Sequence, residues 1–282
     1  IDTALNKQIE TINSHNTATT EEKEAAVQVA NQKATEAKAN IQAAHNNEGV
    51  NQAKTHGIDQ ITSVVPFAHE KDAAKEAIQN KKNDQNNVID ATPNATDEEK
   101  EAAKVRVNEA EQLGDSKVDQ AQTNQQVTDA KTEAVNNINN IRPIVVKKPT
   151  AYNEIDTKFE EVKQAINATP NATTDEKNEA IQRLTAKREE IKNQISQDTK
   201  NDQVEQHKVN GLQELGNIHA NPVKKSEAIK AVEEKVNSQN GLITNNNDAT
   251  DEEKANAKQL VEAAKNKAVT NICLLYTSPS PR

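Results

Sequence analysis

Four copies of one word, Ala-Thr-x-[Asp/Glu]-Glu-Lys, place their lysines at Lys23, Lys100, Lys177 and Lys254, so neighbouring copies stand 77 residues apart without an insertion or deletion. A fixed period of this length means that one folding unit has been copied in tandem. Any structure proposed for the chain must repeat with it.

Each word reads as the start of a helix. Thr19, Thr96, Thr173 and Thr250 are followed three residues later by Glu22, Glu99, Glu176 and Glu253. This is the capping-box spacing, in which the hydroxyl accepts from a first-turn amide and the carboxylate reaches back to the cap. Pro93-Asn94 and Pro170-Asn171 precede two of the caps as turns. Apolar residues then recur at helical steps, as in Ala26, Ala30, Ala37 and Ile41, or Ala180, Leu184, Ile191 and Ile195. Asn47, Asn124 and Asn201 punctuate the chain again, ahead of a second stripe such as Val127, Ala130, Val135 and Ile138. After Pro66, Pro143, Pro149 and Pro222, Asp72, Thr150 and Ser226 stand as candidate caps of a further helix. The best-patterned copy of that helix carries Ala151, Ile155, Phe159, Val162 and Ile166.

Three helices therefore fill one period. Short connections favour antiparallel neighbours. The expected fold is all-α: tandem three-helix bundles joined end to end into an elongated, monomeric rod of roughly 100–150 Å at 1.5 Å per helical residue. The expected units are residues 1–68, 69–145, 146–222 and 223–272, with the first truncated at its start and the fourth lacking its last helix. Ile1 superposes on Ile78, Ile155 and Val232, inside a helix, so the sequence reads as a piece of a longer array. Residues 273–282 contain the lone Cys273, break the composition and resemble translated adapter read-through, a non-native tail.

Composition narrows function by exclusion. The net charge of -9 repels phosphate backbones and anionic lipid, which argues against a nucleic-acid partner. No apolar stretch approaches the ~20 residues of a membrane span. None of the six histidines recurs at one phase, and none has a partner at metal-ligand spacing, so neither a metal site nor a cofactor is expected. His207 reads as a boundary side chain with its tip in water. The Glu21-Glu22, Glu98-Glu99 and Glu252-Glu253 pairs point in different directions on a helix, and capping accounts for them without catalysis. No catalytic residue is expected, and the chain reads as a non-enzyme.

The phrases INATPNATTDEKNEAIQRL and VIDATPNATDEEKEAAKVRVNEA resemble the helical repeat of unknown function found in giant cell-wall-anchored surface proteins of staphylococcal type, the extracellular-matrix-binding class among them. The resemblance covers residues 1–272. It implies an extracellular stalk, anchored to the cell wall in the whole protein, that projects adhesive domains and serves adhesion, biofilm formation and virulence. Host matrix or serum proteins, and neighbouring cells reached through other domains, are the partners it implies. A second class stays open at this point, a multivalent array in which each unit binds such a partner.

The second unit reads as the softest, because Lys82 and Gln85 stand where the third has Phe159 and Val162. Amide exchange is expected to be faster across residues 70–91 than across 151–168; equal or slower exchange would contradict the reading.

Overall fold

The computed structural model describes residues 1–274, and among them it contains eleven α-helices and no strand. The chain is all-α, as the spacing predicts. It divides into two compact units, residues 1–144 and 145–282. In the first unit α1 (Asp2–Asn13), α2 (Thr20–Ala43) and α3 (Asn47–Thr62) pack together, as do α4 (Glu70–Asp90), α5 (Asp97–Gln120) and α6 (Asn124–Asn139). In the second unit α7 (Lys147–Asn167), α8 (Thr174–Gln197) and α9 (Asn201–Gly216) form a bundle, followed by the pair α10 (Lys224–Thr244) and α11 (Asp251–Leu274).

Lengths repeat with the sequence. The helices that begin at the cap word are all 24 residues long, those that follow are 16, and α4, α7 and α10 are 21. The turn before the cap is fixed by backbone preference: Asn94 and Asn171 hold φ of 62° and 61°, a left-handed conformation that asparagine tolerates better than most residues. Ala95 and Ala172 then tuck beneath the turn, each nearly inaccessible.

The interiors are aliphatic and thin. The second bundle closes over Ile78, Ile89, Val107, Val118, Val127 and Ile138, and the third over Ile155, Phe159, Leu184, Ile191, Ile195 and Leu215. The first relies on a strip of alanines, Ala26, Ala30, Ala34 and Ala37, along α2. Such small residues bury little apolar area each, and bring helix axes close instead.

That closeness has a signature. Gly57 faces Ala37, Gly114 faces Ala134 and Gly211 faces Ile191, so the second and third helices of each bundle cross at a glycine. A Cβ on Gly57 would collide with the Ala37 methyl, one on Gly114 would lie 2.5 Å from the Ala134 methyl, and one on Gly211 would lie 2.6 Å from Ile191 Cγ2. The stripe read from the sequence gave this layer of α6 to Val135, which the structure places at the partly buried flank.

The polar residues that marked the second bundle as soft have partners. Gln85 is 1% exposed and its side-chain amide donates to the Ile141 carbonyl at 2.7 Å, while Lys82 Nζ lies 2.7 Å from the Glu111 carboxylate. His207 is also not free in water: Nδ1 stands 2.9 Å from the carboxylate of Asp198, which is 7% exposed.

α11 runs on through Cys273 and Leu274, past the point where the sequence departs from the repeat. The Cys273 carbonyl accepts from Lys225 at 3.0 Å, a backbone role indifferent to the side chain. The rest of the proposed tail, residues 275–282, lies outside the described residues.

Replacing Gly211 by alanine is expected to destabilise by about 1–3 kcal/mol, because the new methyl overpacks against Ile191. At Gly241, where an added Cβ meets nothing within 4 Å, the same change is expected to stabilise by about 0.5–1 kcal/mol through helix propensity. Urea unfolding of the two variants reads the contrast, and effects of equal sign would refute the close-crossing account.

Candidate functional site: the joint between bundles

The structure places each cap threonine and its glutamate within hydrogen-bonding distance. Glu22 Oε2 accepts from the Thr19 amide at 2.8 Å and Thr19 Oγ1 from the Glu22 amide at 3.3 Å. Thr96 with Glu99, Thr173 with Glu176 and Thr250 with Glu253 repeat the arrangement at 2.9, 2.7 and 2.8 Å for the threonine amide. Thr19, Thr96 and Thr173 are buried.

Capping uses only half of the carboxylate. The other oxygen of Glu22 accepts from the backbone amides of His69 at 2.7 Å and Glu70 at 3.0 Å, which open α4 of the following bundle. Glu176 does the same for Val223 and Lys224 at the start of α10, both at 2.9 Å. One side chain thus satisfies orphan amides at two helix starts, its own and that of the next repeat.

This corrects the caps read from the sequence for these helices. Asp72, Thr150 and Ser226 lie inside the first turn, because α4, α7 and α10 begin earlier, at Glu70, Lys147 and Lys224. His69, Val146 and Val223 occupy the cap positions and make no side-chain cap bond there. At α4 and α10 the cap is supplied from the preceding repeat.

The joint within residues 1–144 has further contacts. Thr20 donates through its amide and its hydroxyl to the Gln122 carbonyl, at 2.8 and 3.1 Å. Glu21 Oε2 accepts from the Asn124 amide, at the start of α6, at 3.1 Å. The two adjacent glutamates therefore sit at the amino ends of two helices of the next bundle, where a negative charge is favoured. The sequence reading assigned both to capping alone.

Three recurring devices escaped the sequence reading. Lys71, Lys148 and Lys225 are buried in the first turns of α4, α7 and α10, and each Nζ donates to a carbonyl at the end of the 24-residue helix of its own repeat: Asp119 at 2.7 Å, Ser196 at 2.8 Å and Cys273 at 3.0 Å. A cation at a helix carboxyl end answers the dipole there. Gln8 and Gln85 hold the linkers by the carbonyls of Val64 and Ile141, at 2.6 and 2.7 Å. Arg106 and Arg183 strap the linkers of the second and third bundles by the carbonyls of Arg142 and His219, at 2.7 and 3.1 Å. The 77-residue spacing of these side chains was the available signal.

Val29 occupies the strap position in the first bundle, and there a groove of about 590 Å³ opens, lined by Val29, Val65, Phe67, His69 and Glu22 among others. Phe67 is 78% exposed and stacks on His69 with ring centroids 5.1 Å apart. The equivalent groove beside Arg183 measures about 440 Å³ and is polar.

Electrostatics follow from the bonding. Burial works to raise the Glu22 pKa, but the Thr19, Glu70 and His69 amides together with the His69 side chain outweigh it and hold it at about 2. The Thr173 and Lys224 amides lead in holding Glu176 at about 2. Glu253, bonded only within its own cap, is lowered by the Thr250 amide and hydroxyl.

Compared with known proteins, the chain matches the family described as Domain of Unknown Function (DUF1542) four times, over residues 1–69, 70–146, 147–223 and 224–273. It is 27% identical over 272 residues to the extracellular matrix-binding protein EbhA of Staphylococcus aureus strain Newman, covering 96% of this chain and 8% of that protein. The match to the extracellular matrix-binding protein ebh of strain NCTC 8325 / PS 47 is also 27% over 96% of this chain, and 3% of the relative. The chain thus spans less than a tenth of either relative. No solved structure matches.

Glu22 and Glu176 have folded-state values below the ordinary glutamate value of 4.5, so their stabilisation is present above that value and lost as pH falls from 4.5 towards about 2. Glu22→Gln is expected to lower stability at neutral pH by about 1–3 kcal/mol, the usual range for a bond to a charged group, and to flatten the acid limb of the stability curve. Glu253→Gln is expected to do less. Urea unfolding between pH 2 and 7 tests the ranking, which equal losses would reverse.

Proposed function

The chain belongs to the DUF1542 family, and from that membership together with the geometry of the joint we propose that it is a non-catalytic stalk segment of a bacterial surface protein. In this reading the whole protein is extracellular and anchored to the cell wall, and the repeats carry adhesive domains away from it. The observation that carries the proposal is the shared carboxylate. Glu22 and Glu176 join the top of one bundle to the first helix of the next through backbone amides, the first within residues 1–144 and the second within the unit that follows. Repeats coupled only to their neighbours behave as a one-dimensional array, which suits a spacer. Among the described residues no helix is long and apolar enough to cross a membrane, so these repeats would lie wholly to one side of it.

A multivalent binding array is the second reading. The names of the relatives speak of matrix binding, and the apolar groove with Val65 and Phe67 is a surface on which a host matrix or serum protein could rest. One period on, Arg142 replaces Val65 while Ile144 stays apolar and exposed, and two periods on both positions are polar, at His219 and Asn221, so that surface is not repeated along the array as avidity would require.

Small-angle scattering of the full chain, combined with binding assays against fibronectin, albumin and immunoglobulin, separates the readings. The stalk predicts an extended monomer that binds none of them. Micromolar or tighter binding that strengthens with the number of repeats would replace it by the array.

A further inference from the structure

Three interior contacts carry a different pair of side chains in each complete bundle, at the same phase of the repeat. Between the first and second helices, Lys82 of α4 meets Glu111 of α5 at 2.7 Å. One period later the pair is Phe159 of α7 and Arg188 of α8, with the guanidinium 4.5 Å from the ring centroid. Between the second and third helices, Gly114 faces Ala134 in the second bundle and Ile191 faces Gly211 in the third. Beside that crossing the second bundle buries Ala121 and Ala130, where the third pairs Asp198 with His207 at 2.9 Å. In each case both members differ together.

We propose that these pairs decide which helices pack with which, and so prevent the second and third bundles from exchanging helices within one chain or between two chains. The need arises because the two bundles share one frame. Helix lengths, the caps at Thr96 and Thr173, and the buried lysine clasp of Lys71 or Lys148 are the same in both. Tandem copies with shared ends are prone to misassembly and swapping.

Each exchange meets a penalty. Packing α4 on α8 sets Lys82 against Arg188, two cations in a half-buried layer where Lys82 now has a carboxylate. Packing α7 on α5 lays the negative face of the Phe159 ring over the Glu111 carboxylate. Packing α6 on α8 brings the Ala134 methyl to the place where any Cβ lies 2.6 Å from Ile191 Cγ2, and puts Ala130 where buried Asp198 meets the His207 nitrogen. Packing α9 on α5 sets Gly211 against Gly114 and leaves a void. Attraction to the right partner and exclusion of the wrong one come from the same side chains.

Two double substitutions in the full chain keep the charge pair and the glycine crossing of the second bundle while removing their power to discriminate. K82E/E111K retains opposite charges inside the second bundle, yet gives α4 a carboxylate that suits Arg188 and α5 an ammonium that suits the Phe159 ring. G114A/A134G retains one glycine at the crossing, as in the first bundle with Ala37 and Gly57, yet gives α6 the glycine that Ile191 requires. The quadruple variant is unfolded in urea, refolded at several protein concentrations, and followed by circular dichroism and by size exclusion with light scattering. The expected result is a melting midpoint close to the parent's and a several-fold larger dimer fraction that grows with concentration. Monomer recovery equal to the parent's at every concentration overturns the proposal. Where the quadruple variant loses its melting transition, either double variant carries the same test, and one that melts like the parent and refolds wholly to monomer overturns it equally.

Discussion

A carboxylate has two oxygens, and the structure uses both at Glu22 and Glu176. One closes the helix on which the glutamate stands, and the other closes the helix that begins the next repeat. Unsatisfied amides at helix starts are costly when water is excluded, so α4 and α10, which bring no cap of their own, depend on the repeat before them. Helix termination and the linkage between bundles are therefore a single interaction. The lowered pKa of both glutamates is its electrostatic counterpart.

The thin cores make this dependence matter. Alanine-lined crossings bury little area per residue, and chain entropy offsets most of what they gain. The many exposed ion pairs, such as Lys117 with Glu133 or Lys187 with Glu190, add little each, because water and salt screen them. What remains to fix each bundle is a small set of polar side chains aimed at backbone carbonyls: Lys71, Lys148, Gln85, Arg106 and Arg183. They hold linkers and helix ends in place where aliphatic packing is sparse.

The fold class was legible because a helix carries its periodicity in its own residues, and the threonine–glutamate spacing is equally local. The second oxygen of Glu22 was not legible. Its partners lie 47 and 48 residues away and are amides, which leave no trace in residue identity. Gly57 and Gly211 were hidden for a different reason. Glycine in a helical stretch reads as a weak point, whereas here it is what lets two helices touch. His207 likewise read as a boundary side chain without a partner, since only the fold brings Asp198, at the carboxyl end of α8, against α9. Asp72, Thr150 and Ser226 misled because a good cap residue was present near a helix start whose capping came from elsewhere.

The joint is addressed to atoms that every amino acid shares. A glutamate that grips main-chain amides does not ask which residues carry them, and His69-Glu70 and Val223-Lys224 serve it equally well. Bundle ends are thus universal couplings, while bundle interiors are individually keyed. Where one bundle meets the next through main-chain amides, the residues that carry those amides are free to vary without loss of the contact.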